Sequence, residues 1–407
     1  MDSAPPEYAA ELRRRRAQAS LSLAQLAALA HVDRAYLHRV ETGQRWPSRT
    51  VAKLIDDALS AHGVLLTAWQ AGAAERAASA EHGRLLAASA RSSAAIDELL
   101  ADNAPHNGDD ALALADQLGR AYLTTPPAPM LRETLAARQQ AVTLLHGTHR
   151  VGLRRDLTRA VGYQSGVLAY AALDLGDPAT AHRHANTAWR CADTVGDGTL
   201  RAWVRGTQSL IARFQQDYAT AAELAVDGLD YVSAWHGTAT ARLLAGEAQS
   251  LANLGDRAGT HRALTAAETA CDQSGVDELG GLFTFSPAKL SYYGGSALIW
   301  LPEPADVRRA LYCATEAIEL WEHGPAVDRS EDDEALAYVY AATASVRLGE
   351  PAAAAGWLGP VLALPTERRI SWLRKRVGRV GTLLADRRFA GSTTTDETRN
   401  AIADFVS

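Results

Sequence analysis

Five short turn sequences recur along most of this 407-residue chain and constrain its fold more than anything else in it. They are Leu175-Gly176-Asp177-Pro178, Gln216-Asp217-Tyr218, Leu254-Gly255-Asp256-Arg257, Pro302-Glu303-Pro304 and Leu348-Gly349-Glu350-Pro351. With Gly176, Gln216, Gly255, Pro302 and Gly349 as reference points, the successive steps are 40, 39, 47 and 47 residues. Small residues stand seven before each point: Ala169, Ser209, Ala248, Gly295 and Ala342. Short side chains stand five after (Ala181, Ala221, Thr260, Val307, Ala354) and twelve after (Ala188, Gly228, Ala267, Ala314, Val361). That spacing describes a helix, a turn and a second helix, with little bulk wherever the two touch. Each pair leaves an apolar face that only its neighbour can cover, so the pairs are expected to stack into a solenoid. Asp109–Tyr122 and Ala128–Leu145, bent at Pro126-Pro127, read as a degenerate first pair. Ile370–Ala385 reads as a basic capping helix whose Arg374, Lys375, Arg376 and Arg379 form a solvated face.

The amino end follows another plan. Between Leu21 and Ser48, Leu23, Leu26, Ala27 and Ala30 recur at helical spacing, His31-Val32 breaks the stripe, and Asp33 is suited to cap a second helix. Leu37 and Val40 of that helix would face back onto the first, and Ala27 leaves room for a steep crossing. Arg34, Ala35, His38 and Arg39 then form an exposed polar face, the layout of a helix-turn-helix that presents its second helix to a DNA major groove. Glu11–Ala19 supplies the helix before it. Ser48 caps Arg49–Ala61 after the loop Gly43–Pro47, where packing is the expected role of Trp46, and Gly63–Trp69 forms a short last helix.

Leu12 to about Gln70 resembles the Cro/cI-type (Xre-family) helix-turn-helix domain of bacterial repressors. The arginine-ended first helix, the Leu23-Ala24-Gln25-Leu26-Ala27 run, the small crossing residue and Val40-Glu41-Thr42-Gly43 carry the likeness. The resemblance implies base contacts for Arg34, Ala35 and Arg39, phosphate contacts for Gln44, Arg45, Arg49 and Arg13, and an internal ion pair between Arg16 and Glu41. Two positions depart from the family: Leu23 stands where a phosphate-touching glutamine is usual, and His31 where the turn usually holds glycine. The helix-pair body is similar to tetratricopeptide repeats with lengthened links. The head-plus-body order is similar to actinomycete regulators and to the peptide-sensing quorum regulators grouped as RRNPP.

Charge supports a division of labour. The chain carries 41 basic and 47 acidic residues, a net −6, which argues against nucleic-acid binding over its whole length. Residues 1–70 hold nine Lys/Arg against seven Asp/Glu, leaving −8 for the rest; a weakly basic head on an acidic body fits DNA contact confined to the head. Cys191, Cys271 and Cys313 are far apart, with neither disulfide nor zinc spacing, as suits a reducing cytoplasm. No run of about 18 apolar residues predicts a membrane span.

In stacked helix pairs the first helix of each lines the inner wall. Counting back from the turns puts Tyr163, Tyr170 and Asp174 there, then Trp203, Arg213 and Phe214. Arg242, Gln249 and Asn253 follow, then Lys289, Tyr292 and Trp300, and last Arg347. Cations, amides and aromatics together suit a peptide or a small acidic ligand, since amides grip a peptide backbone and arginine holds a carboxylate by two hydrogen bonds. The alternative for Trp203, Phe214 and Trp300 is plain core. Catalytic motifs are lacking: no HExxH, P-loop, nucleophile elbow or dinucleotide fingerprint occurs, and His182 and His184, two apart on a helix, cannot share a metal.

The expected fold is therefore all-α: an N-terminal five-helix helix-turn-helix domain followed by a TPR-like right-handed α-solenoid. Residues 1–8 are expected to be disordered and 9–70 to form the head. An alanine-rich helical linker would occupy 71–93, a solenoid for sensing and dimerisation 94–389, and a fraying tail 390–407. The expected function is transcription regulation in the cytoplasm, without cofactor, catalysis or membrane contact. A homodimer would bind double-stranded DNA at a two-fold symmetric operator under a peptide or small-molecule effector. The alternative is a protein-interaction scaffold that the head tethers to DNA.

Overall fold

The computed structural model describes residues 6–99, 109–232 and 237–406, which form helices and connecting turns without a strand. The chain divides into two compact units, Met1–Arg84 and Leu85–Ser407.

The first unit begins with α1 (Pro6–Gln18), α2 (Leu23–Leu29), α3 (Arg34–Glu41) and α4 (Arg49–Ala58), and ends in the first turns of α5 (Val64–Leu99). Each short helix is started by a side chain. Ser22 and Gln25 form a reciprocal capping box on α2, Asp33 accepts from the Tyr36 N–H at 2.8 Å, and Ser48 accepts from that of Val51. The buried Asp56 takes the N–H groups of Gly63 and Leu65 at 2.7 and 2.8 Å, fixing the start of α5. Leu12, Leu26, Ala27, Ala30, Leu37, Val40, Ile55 and Leu65 meet in one core. Disorder to residue 8 is corrected for its described part: Pro6–Tyr8 open α1, and Tyr8 is fully buried because its ring packs beside Trp46. Residues 1–5 lie outside the described residues. The expected short last helix is corrected too, since nothing after Trp69 breaks the alanine-rich helix, which runs on to Leu99.

In the second unit α6 (Asp109–Ala121) and α7 (Pro127–His146) precede five hairpins: α8/α9 (Val151–Asp174, Pro178–Val195), α10/α11 (Gly198–Phe214, Tyr218–Leu229), α12/α13 (Ala239–Asn253, Arg257–Asp272), α14/α15 (Pro287–Leu298, Pro304–His323) and α16/α17 (Glu331–Leu348, Pro351–Leu362). Then come α18 (Ser371–Leu384) and α19 (Thr393–Val406). The five turns fall where the sequence repeat puts them, and four share one geometry. Gly176, Gln216, Gly255 and Gly349 take left-handed φ of +87°, +65°, +83° and +88°. The residue after each returns its N–H five residues back, to Ala172, Ala212, Leu251 and Ser345, which closes a Schellman turn. Asp177, Asp217 and Asp256 then cap the next helix. The recurring small residues are buried: Ala169, Ala248, Ala342, Ala181, Ala221 and Ala354 have no exposed surface. Successive first helices α8, α10, α12, α14 and α16 pack side by side, an α-solenoid.

The row of inner helices closes on itself. Ser371 Oγ donates to the Leu173 carbonyl at 2.9 Å, Trp372 meets Phe214 edge-on at 4.7 Å, and the Glu331 N–H reaches the Leu123 carbonyl at 3.0 Å. Two further expectations are corrected here. Residues 85–93 are body rather than linker: Leu85 and Leu86 pack on Leu131 and Leu168, and Ser89 and Ser93 are buried with hydroxyls hydrogen-bonded to His184. The terminal segment does not fray through residue 406, because Ile402 and Phe405 of α19 are buried in the largest core. Residues 100–108, within the expected solenoid, and Ser407 lie outside the described residues.

Candidate functional site

The exposed side of α3 follows from its buried one. Leu37 and Val40 are fully buried and Glu41 nearly so, which turns Arg34, Ala35, His38 and Arg39 to solvent. Neither Arg34 nor Arg39 has an ion-pair partner among the described residues. Gln44, Arg45 and Arg49 are exposed just beyond, on the loop and at the start of α4, where the helix dipole adds to their positive field. Arg13 is exposed on α1, its Nε 3.3 Å from the Ala9 carbonyl. Arg16 turns inward instead: Nε and Nη2 donate to Glu41 Oε1 at 3.0 and 2.8 Å. Trp46 packs between Tyr8 and Trp69, whose Nε1 donates to the Pro47 carbonyl at 2.8 Å, so the loop is held from beneath. His31 closes the turn at φ +54° where glycine would sit without strain.

The second unit holds a partly open cavity of ≈ 90 Å³. Tyr170, Arg213, Arg242, Gln249, Asn253, Lys289 and Tyr292 line it, as the inner-wall count places them. Tyr163 and Trp203 do not, and their expected place in a groove is corrected. The long link between α13 and α14 folds inward and sets Phe283 edge-on against both rings, at 4.9 and 5.0 Å, so both are core. Gly119 makes this possible, since a Cβ there would stand 2.4 Å from the Phe283 ring. The longer 47-residue step in the repeat was the available sign that extra chain had to go somewhere.

The cavity's cations are seated in gaps left by glycine. Arg242 donates to the Trp203 carbonyl and the Tyr170 hydroxyl, each at 2.6 Å, and a Cβ on Gly206 would lie 2.7 Å from its Nη1. Arg213 donates to Ser209 Oγ at 2.8 Å and the Gly246 carbonyl at 3.1 Å, over the space a Gly246 Cβ would fill. Lys289 Nζ is held by the Thr284 and Gly281 carbonyls at 3.1 and 3.4 Å. Burial lowers the pKa of Arg213 and of Lys289. Gln249 donates to Ser296, and Asn253 Nδ2 to the Gln249 carbonyl at 2.8 Å.

Sequence reasoning placed Asp174 on the inner wall but missed Tyr122, Asp332 and Asp333, which line the cavity with it. Asp174 accepts from the Tyr122 hydroxyl, Asp333 from Ser330 at 2.9 Å, and Asp332 lies 3.5 Å from Arg368. Burial pushes the Asp174 carboxyl up to about 7 and raises Asp332 and Asp333, with Asp174 and Asp333 adding to the rise at Asp332. The basic helix α18 is not simply a solvated face. Arg376 lines the cavity, Arg379 stacks 3.4 Å above Trp300, and Lys375 stands 3.6 Å over Phe214. Aromatic neighbours on the inner wall were its only sequence sign. Among the described residues no cluster of three His, Cys, Asp or Glu is arranged to hold a metal ion, and no helix is long and apolar enough to cross a membrane.

Residues 7–69 match a family model described as a helix-turn-helix domain, a span that coincides with α1–α4 and the first turns of α5. No curated protein matches the chain.

Proposed function

We propose that this chain is a sequence-specific DNA-binding transcription regulator whose second unit senses a small effector and pairs two copies. The observation that carries the reading is the state of α3: two exposed arginines without an ion pair, on a helix held by its other side in a domain of matching family. Each guanidinium is able to read a guanine edge, worth about 1–3 kcal/mol of discrimination, and Ala35 to meet a thymine methyl. Gln44, Arg45, Arg49 and Arg13 would fix the register on phosphates. A single recognition helix covers few base pairs, so a homodimer on a two-fold site with half-sites about one helical turn apart is the arrangement we infer. The chain would act in the cytoplasm, where such DNA lies.

The scaffold alternative has less support, because buried arginines without a carboxylate partner among the described residues line the inner-wall cavity and suit a small charged ligand. Genome-wide mapping of bound sites, run with the natural chain and with Arg39→Ala, tests the proposal. A shared two-fold sequence that disappears in the variant supports it. Unchanged occupancy in the variant would overturn it.

A further inference from the structure

Some of the cavity's buried charges have no counter-ion among the described residues. Arg213 and Arg242 are each only 6% exposed, and neither has a carboxylate partner among the described residues. Burying a guanidinium without a counter-ion is costly, and main-chain carbonyls and hydroxyls offset only part of it. Asp174, one turn beyond Tyr170 on α8, is equally buried and also lacks a cationic partner among the described residues. Tyrosines keep the two sets apart. The Tyr170 hydroxyl accepts from Arg242, its ring meets Tyr122 edge-on at 5.7 Å, and the Tyr122 hydroxyl donates to Asp174. Arg242 and Asp174 are therefore held apart by an aromatic pair, whereas Lys289 lies close enough to Asp333 to attract it.

We propose, building on the effector-sensing reading, that this cavity binds a small zwitterion of the free amino-acid class. Its anionic group would lie between Arg213 and Arg242 and its ammonium against Asp174, Asp332 and Asp333. Three observations favour this over a simple acid, a metal or a peptide. A lone anion leaves the buried Asp174 without a cationic partner. The carboxylates are not clustered as metal ligands. The volume, ≈ 90 Å³ against the roughly 10–15 Å³ that one water requires, suits one amino acid better than a length of peptide. The upward pKa shifts of the three aspartates agree, because an arriving ammonium would favour their ionised forms and release protons.

The test uses the full chain and the twenty free L-amino acids, with the des-amino acid and the decarboxylated amine of each. Thermal shift identifies binders and calorimetry gives affinities. At least one amino acid should raise the melting temperature by several degrees and bind at least tenfold more tightly than either of its singly charged analogues. Arg213→Gln should remove binding of the amino acid and the acid alike. Asp174→Asn should erase only the preference for the amino acid, and circular dichroism shows whether each variant is folded. If no amino acid binds, or the des-amino acid binds as tightly, the proposal is overturned, and the analogue series on the natural chain decides this whatever the variants do. DNA binding measured on the same preparation separates the two readings. DNA bound without a ligand sinks the zwitterion alone, whereas ligand bound without DNA sinks the regulator.

Discussion

Arg16 grips the carboxylate of Glu41 from α1, with two nitrogens on one oxygen, and gives its remaining Nη1 to the Leu21 carbonyl at 2.9 Å. The pair fastens the end of α3 to α1 and to the entry of α2. Arg34 and Arg39, on the same short α3, make no such bond among the described residues. Arginines of one small domain are thereby divided between holding the fold and facing outward.

Replacing Arg16 tests that division. Arg16→Met leaves the nearly buried Glu41 without its partner. Losing one member of a fully buried pair costs about 3–5 kcal/mol; with the Arg16 side chain 26% exposed, about 1–3 kcal/mol is expected after discounting for solvent. Hydrogen exchange of the α3 amides should accelerate accordingly. Arg39→Ala should leave exchange unchanged while DNA binding is lost, because surface changes usually stay within about 0.5 kcal/mol.

The arginines around the loop should behave differently again. Arg45→Gln and Arg49→Gln are each expected to weaken binding to all DNA sequences alike and to lower the slope of log affinity against log salt by about 1. Fluorescence anisotropy across a salt series on a selected and a scrambled duplex measures this. Arg34→Ala should instead narrow the gap between the two duplexes, since a base contact carries sequence information and a phosphate contact does not.

Much of this was legible from residue order, for a physical reason. Left-handed turns, N-caps and helix crossings each demand particular residues at fixed offsets, so Gly176-Asp177 and Gly255-Asp256 announce themselves, as do Ala169 and Ala248. The inner-wall count works because helical periodicity fixes which side chains share a face. It failed at Tyr163 and Trp203, whose burial depends on Phe283, more than a hundred residues later in one case and some eighty in the other. A plug folded across a wall has no local signature. Asp332 and Asp333 escaped notice likewise, since an acidic first turn is what any helix favours. The burial of Ile402 and Phe405 in the tail rests on contact with α17 and α18, again a tertiary matter.

Gln216 offers a test of the turn itself. It holds φ +65° at the position that is glycine in three of the other turns, and a side chain in this region costs about 1–2 kcal/mol. Glycine's greater freedom in the unfolded chain takes back about 0.5–1 kcal/mol. Gln216→Gly should therefore stabilise the second unit by a few tenths to about 1 kcal/mol, seen as a higher melting temperature. Asp217→Ala should act the other way, by about 0.5–2 kcal/mol, through loss of the cap on the Thr220 N–H. Carried together, the two changes should destabilise less than Asp217→Ala does alone.

The Asp174 carboxyl makes stability depend on pH with a definite sign. Burial raises it to about 7 in the folded chain, while in the unfolded chain it titrates near its ordinary value of about 3.9. Between those limits the folded state keeps a proton that the unfolded state has released, so stability falls as pH rises through the interval and stays low above it. Asp332 and Asp333, raised by the same burial, push in the same direction. An asparagine at 174 has no proton to lose and still accepts from the Tyr122 hydroxyl. Asp174→Asn should melt with the natural chain near pH 4 and above it at pH 8, a gap of up to a few kcal/mol that opens progressively between. Melting curves at pH 4.5, 6 and 8 in the absence of ligand measure it. A gap of the same size at all three would mean that Asp174 is charged in the folded cavity throughout, held by a cation rather than by burial.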